Sequence, residues 1–257
     1  MKPFGRFKLL RRLTKMQTGI ELTLVGHCEV RCTKHCPWEV FQCRYGNPDE
    51  MMTMDTLKKI LANIPKGSFI KFAGFSEPLT NQDCIDMMQY AIDMGFKVKL
   101  FTTLYGLKEE DIEKLCNLKL YDVCLHVPDP NGVVKHPGYP WYNDAVMRIV
   151  QSQPRVYFSI MNDMFVTCHR EDFIRGKKSK RWILPRFCYK WIIPTPIIMP
   201  NGDTYFCCMD FGLNYYMGNI LSEDYWSLVK KSKIPTKMCK QCYEGISLKQ
   251  AIKRILL

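Results

Sequence analysis

Between residue 20 and about residue 160, short apolar runs alternate with segments of helical spacing. This pattern constrains the fold more than any other feature of the chain. The runs Ile20–Val25, Ser68–Ala73, Lys97–Thr102, Tyr121–Val127 and Arg155–Met161 read as strands. Asp55–Ile64, Gln82–Met94, Glu109–Cys116 and Asn143–Val150 read as helices, the first stopped by Pro65 and the second by Gly95. Strand–helix alternation at this spacing builds βαβ units on a parallel sheet. Five such strands make an open, partial barrel, in which ligands gather at the carboxyl ends of the strands. With 257 residues, 47% of them hydrophobic, the chain has enough apolar surface for a sizeable core, which excludes a disordered or collagen-like protein. The longest apolar stretch, Trp191–Pro200, is too short to cross a membrane and holds three prolines.

The pattern changes after about residue 165. Residues 166–187 are basic and irregular. Ile197–Met199 and Thr204–Cys207 then flank Pro200-Asn201-Gly202-Asp203, a β-hairpin signal. A short helix over Glu223–Lys230, a Cys-x2-Cys pair and an amphipathic helix over Ser247–Leu256 follow. The expected division is a basic N-terminal segment (1–19), a partial barrel (20–187) and a cysteine-bearing extension (188–257) too small to hold itself together without a staple.

Thirteen cysteines are the second constraint. The N-terminus, MKPFGRFKLLRRLTKMQ, carries no apolar run of secretory type, which predicts a cytoplasmic, reducing setting where thiols do not pair as structural disulfides. Thiols in such number then suggest metal or cluster ligation. Cys28, Cys32 and Cys36 lie directly after the first strand. Three thiolates on a four-iron cubane leave one iron open to a small ligand, and a zinc site completed by His35 or Cys43 is the alternative. After the second strand come Gly74, Ser76 and Glu77. The glycine permits close backbone approach, and the carboxylate can accept from an ammonium group. A late set, Cys188, Cys207, Cys239 and Cys242, supplies four thiolates from three segments for a closed site, either an iron–sulfur cluster or a zinc staple. Cys84, Cys116, Cys124 and Cys168 read as small buried hydrophobes, and Cys43 and Cys208 as spare thiols near the two sites. Asp210 reads as a capping acid or as a base near the substrate.

The formal net charge of +12 is concentrated. Six bases and no acid fall in residues 1–15, and seven bases and no acid in residues 175–190, which leaves 24 bases against 25 acids elsewhere. Two such patches are either solvated faces or docking sites for an acidic partner. No nucleic-acid recognition motif accompanies them.

The early cysteine triplet, Gly74-x-Ser76-Glu77-Pro78, Thr102-Thr103 and the block Cys188…Asn201-Gly202-x4-Cys207…Gly218-Asn219-Ile220…Cys239-x2-Cys242 occur in one order. Over residues 20 to about 245 the chain resembles radical S-adenosylmethionine (SAM) enzymes with a C-terminal SPASM or twitch-type extension. The resemblance implies an α/β fold, a partial (β/α)5–6 TIM-like barrel with a small cysteine-rich extension. It implies a 4Fe–4S cluster on Cys28, Cys32 and Cys36, with SAM on the open iron. SAM's methionyl group would lie along Gly74, Ser76 and Glu77, and its ribose and carboxylate near Thr103, His126 and Ser159. One auxiliary 4Fe–4S cluster on Cys188, Cys207, Cys239 and Cys242 completes the implied set. The last gap of the first motif is three residues rather than the usual two, so either Cys36 or His35 completes that site, and thiolate is the usual ligand.

The activity implied is reductive cleavage of SAM and abstraction of a hydrogen from a small-molecule substrate, a sugar or nucleotide-linked compound. An acidic flavodoxin- or ferredoxin-type donor would be steered by the basic patches. Modification of a ribosomally made peptide is a second reading, and a non-catalytic, zinc-stapled basic binding module a third. No residue in the pattern identifies the group that contacts the substrate.

Overall fold

A computed structural model describes residues 18–32, 36–128, 132, 134–159 and 195–231. Five parallel strands, β1 (Gly19–Leu22), β2 (Phe69–Phe72), β3 (Lys97–Thr102), β4 (Asp122–His126) and β5 (Val156–Ser159), pair in sequence order. The helices between them are α1 (Trp38–Tyr45), α2 (Met54–Asn63), α3 (Cys84–Asp93), α4 (Ile112–Asn117) and α5 (Tyr142–Ser152). This is the α/β partial barrel expected from the alternation, and the sheet is not closed.

The period-two pattern decides which side of the sheet is filled. Ile20, Leu22, Ile70, Phe72, Val98, Leu100, Val123 and Leu125 point to one face. There they meet Leu57, Ile60 and Leu61 of α2, Met87, Met88 and Ala91 of α3, and Ile112, Leu115, Ala145 and Ile149 of α4 and α5. Helix ends follow local chemistry. The Thr53 hydroxyl accepts from Thr56 N at 3.1 Å and starts α2. Gln153 Nε2 donates to the carbonyls of Leu115, Cys116 and Leu118 at 3.3, 2.9 and 3.1 Å, satisfying the end of α4 from a distant segment.

The later residues extend the same sheet. β6 (Ile197–Ile198) runs parallel to β1 on its open side, with Glu21 opposite Ile197 and Leu22 opposite Ile198. The predicted hairpin then leads to β7 (Asp203–Tyr205), and β8 (Tyr216–Asn219) is added antiparallel. Gly202 turns the hairpin at φ +86°, a conformation that glycine adopts without strain. Asn219 Nδ2 braces the turn by donating to Asn201 O at 3.0 Å and Asp203 Oδ1 at 3.1 Å. Ile220 and, in α6 (Tyr225–Lys231), Leu228 and Val229 enter the main core, and Asn63 Nδ2 donates to Ile220 O at 2.9 Å. Residues 195–231 are therefore packed into the barrel's own sheet and core. The expected boundary at 187/188 and the helix expected over residues 247–256 lie outside the described residues. Two elements were not anticipated. α1 falls in a stretch read as loop, and β8 in a stretch read only as a motif.

Candidate active site

The carboxyl ends of β1, β2 and β3 meet at one rim. From β1 the chain runs through Val25, which bridges Met51, into the loop that holds Cys28. That loop passes so close to the 47–50 turn that a side chain on Gly26 would lie 2.1 Å from Asn47 O. Arg31 is left-handed at φ +47°. Cys28 is buried, and Cys32 and Cys36 are half-buried.

The three thiols share one electrostatic neighbourhood. Burial pushes the Cys32 thiol well above its ordinary value, and the charges of Cys36, Cys28 and Glu77 add to that. Burial, and then the Glu77 charge, raises Cys28 as well, and the nearby backbone of Glu77, Val30 and Arg31 opposes the shift. A cationic centre would reverse this cost, because a metal binds the thiolate. Among the described residues, no three His, Cys, Asp or Glu side chains converge on a single metal-ion position. Thiolates on a cubane each bind a different iron, so they need not converge on one point. His35 lies outside the described residues.

The segment after β2 fastens the rim together. Gly74 is left-handed at φ +82°, and a Cβ there would come within 2.2 Å of Thr23 Oγ1 and 2.8 Å of Thr23 Cα. The close approach that this glycine permits is therefore to the end of β1. Phe75 N donates to Thr23 Oγ1 at 3.2 Å, and Ser76 Oγ donates to Val25 O at 2.9 Å, so Ser76 is turned into the chain.

Glu77 is 5% exposed, and both of its oxygens are occupied. Oε1 accepts from Thr102 Oγ1 at 2.5 Å and Leu79 N at 3.3 Å, and Oε2 from Thr103 N at 2.7 Å and Thr103 Oγ1 at 2.8 Å. The hydroxyls have a fixed polarity. Thr102 Oγ1 accepts from Leu104 N at 2.8 Å and Thr103 Oγ1 from Tyr105 N at 3.3 Å, so each hydroxyl proton is directed to the carboxylate. Burial pushes the Glu77 carboxyl up from its ordinary value, and these donors oppose the shift. Thr102 is thus part of the rim network, although its sequence position offered no reason to separate it from Thr103.

His126 and Ser159 end β4 and β5 and are register partners, both half-buried, so they continue the same rim away from the cysteines. On the other side of β1, Phe75 touches Phe41 of α1 (ring centroids 5.2 Å apart) and Phe211 (4.6 Å). Ile197 and Met199 complete this small core, and both Cys36 and Cys208 pack against it. The cysteine loop and the hairpin region are therefore mechanically joined. Cys207 is buried beside Phe206, Met209 and Met217. Asp210 is a capping acid, taking N–H groups from Asn214 (3.0 Å) and Tyr215 (2.7 Å) and closing the turn that carries Cys207. Cys188, Cys239 and Cys242 lie outside the described residues, as do both basic patches. Among the described residues, no helix is long and apolar enough to cross a membrane.

No family model matches the chain, and no curated protein matches it in sequence. Solved structures do match in fold. The crystal structure of BtrN in complex with AdoMet and 2-DOIA aligns with a TM-score of 0.58 at 14% identity, over 90% of this chain and 88% of that one. Hexahistidine-tagged anSMEcpe with bound AdoMet aligns with a TM-score of 0.55 at 12% identity, over 90% and 86%. Native anSMEcpe with bound AdoMet and the Cp18Cys peptide gives 0.52 at 12%, over 90% and 89%. BtrN and anSMEcpe are radical SAM enzymes, and this chain has their fold.

Proposed function

We propose that the chain is a radical SAM oxidoreductase acting on a small molecule. The observation that carries this reading is that Cys28, Cys32 and Cys36 share one electrostatic neighbourhood with Glu77 at the strand-end rim, Cys28 buried and the other two half-buried. Those thiolates would hold a 4Fe–4S cluster. With SAM bound, the cluster supplies one-electron cleavage of the sulfonium and hydrogen-atom abstraction from the substrate. The chain's part is to bind and orient. The Gly74–Glu77 segment and Thr103 would face SAM's methionyl end, where the fixed negative charge of Glu77 favours an ammonium and a sulfonium. His126 and Ser159 would line the ribose side. Cys207, held in the turn closed by Asp210, would be one ligand of an auxiliary 4Fe–4S cluster with Cys188, Cys239 and Cys242. A flavodoxin- or ferredoxin-type donor would dock on the basic runs in a cytoplasmic setting.

A peptide substrate is the second reading, supported by the likeness to anSMEcpe with its bound peptide. A zinc-stapled binding module is the third reading, and the metal found after reconstitution separates it from the first.

The test is iron and sulfide per chain after anaerobic reconstitution, with 5′-deoxyadenosine formation measured alongside. The expected result is about eight irons in wild type, about four in Cys28→Ala/Cys32→Ala/Cys36→Ala, and 5′-deoxyadenosine from wild type alone. Zinc in place of iron, or iron without SAM cleavage, overturns the proposal.

A further inference from the structure

The sheet has a second face, opposite the helices. Val98, Leu100, Val123, Leu125 and Val156 pack toward the helices, so Phe101, Cys124 and Tyr157 face the other side. Phe101 is the register partner of Cys124, and Cys124 of Tyr157, so the three stand side by side on β3, β4 and β5. The row reads large, small, large. Phe101 and Cys124 are half-buried, and Tyr157 is 55% exposed. A thiol between two rings makes a slot with Cys124 as its floor. Neighbouring strands lie about 4.8 Å apart, so the two walls rise from backbones about 9.6 Å apart. A ring in van der Waals contact with both walls needs about 7–8 Å between them. The slot therefore takes one ring and not two.

The two ends of the slot differ. About 6.6 Å nearer the rim, two residues on along β4 and β5, come the register partners His126 and Ser159, which offer hydrogen-bonding edges. Two residues before the slot lies a row of charges already joined, Lys71 Nζ to Glu21 Oε2 at 3.1 Å and Lys99 Nζ to Asp122 Oδ2 at 2.7 Å. The Lys71 ammonium also lies 4.8 Å from the Phe101 ring centroid. An incoming charge would have to break one of these pairs, and taking charge out of water is costly without compensation. A pyranose has apolar C–H faces and a polar edge of hydroxyls, which matches aromatic walls with a few polar groups at one end. We infer that this slot binds an uncharged, hydroxyl-bearing ring of the substrate, a pyranose held between Phe101 and Tyr157 with its hydroxyl edge toward His126 and Ser159. The inference rests on the radical SAM reading only in calling that ligand the substrate. Tyr157 is then a specificity-determining residue, and the ring lies one side-chain layer below the row proposed for the ribose.

Titration of the reconstituted full chain with methyl β-D-glucopyranoside, followed by saturation-transfer NMR, tests this. Wild type is compared with Y157A, Y157F and C124F, and glucose 6-phosphate is titrated as the charged counterpart. More than half of the Tyr157 side chain is exposed, so its truncation does not empty the core. Saturation should reach the ring C–H protons in wild type and in Y157F. Y157A should weaken binding at least tenfold, and C124F, which fills the floor, should abolish it. Glucose 6-phosphate should bind no tighter than the glucoside. No binding in wild type, or equal binding in wild type and Y157A, overturns the inference. Tighter binding of the phosphate ester that depends on Tyr157 overturns it as well. If C124F does not fold, Y157A against Y157F decides. 5′-Deoxyadenosine formation is measured separately. Binding without it keeps the slot and loses the radical reading, and its formation without binding keeps the radical reading and loses the slot.

Discussion

Replacing Glu77 by glutamine changes one atom of a buried side chain, and the surrounding geometry determines what that change costs. Each carboxylate oxygen faces a backbone N–H, Leu79 N on Oε1 and Thr103 N on Oε2. A backbone donor cannot reverse. Whichever way the amide is turned, its NH2 group meets an N–H, and one buried donor loses its acceptor. An unsatisfied buried donor costs about 1–3 kcal/mol, and the lost charge-assisted bond is worth about 1.5–3 kcal/mol. Removing a buried charge returns part of this, because burial already disfavours the ionised form. The net expectation is a loss of about 2 kcal/mol. For a chain of this size that lowers Tm by about 4–8 °C. Thr103→Ser keeps both Thr103 donors and should stay within about 1 kcal/mol of wild type, whereas Thr103→Val removes one donor and should cost about 1–2 kcal/mol. Thermal melts followed by circular dichroism on the cluster-free protein separate this from any effect on cofactor binding. A Glu77→Gln variant as stable as wild type, or more stable, would refute the reasoning, because it would mean that the desolvation of the charge outweighs all four donors.

Gly74→Ala combines a left-handed backbone with an overlap against Thr23, so it should cost about 3 kcal/mol or more, read as a lower urea midpoint at unchanged slope. Asp210→Asn repeats the glutamine problem, since Oδ1 and Oδ2 each face a backbone N–H, from Asn214 and Tyr215. It should destabilise by about 1–3 kcal/mol and increase the protease sensitivity of the 206–215 turn. Gln153→Glu would place a carboxylate against three carbonyls that now accept from Nε2. A loss of about 3 kcal/mol or more is expected by thermal melt, and Gln153→Met should be milder.

The strands were legible as short runs in which buried and less buried residues alternate, as with Val98 and Leu100 between Lys97, Lys99 and Phe101. That alternation could not say that Lys71 and Lys99 of two strands fall in one row. Register is a property of the assembled sheet and not of one strand. Helix α1 was hidden because only Phe41 is buried among its eight residues, and Pro37 before it offers no side-chain cap. Strand β8 was hidden by its shortness and by Gly218 within it. At the rim, the sequence identified Gly74, Ser76, Glu77 and Thr103 by their order after strands. It did not reveal that Ser76 and Glu77 spend their hydrogen bonds on the chain itself, or that Thr102 shares the load. Those facts depend on where three strand ends meet, and nothing in one segment encodes the distance to the next.

The pairing of β6 with β1 also sets a timetable. β1 is the strand that leads into the cysteine loop, yet one of its two neighbours is supplied by residues 197–198. At ribosomal speeds of about 5–20 residues per second, the β6 segment follows β1 by roughly 10–35 s. During that interval one edge of β1 has no partner, and the small core of Phe41, Phe75 and Phe211 lacks its last ring. The nascent chain therefore has an interval in which the Cys28 loop is attached to a half-built sheet. When β6 docks, it covers the open strand edge, and the chain that follows it completes that core and carries the Cys207 turn, so the last-made part of the sheet fixes the surroundings of its first strand.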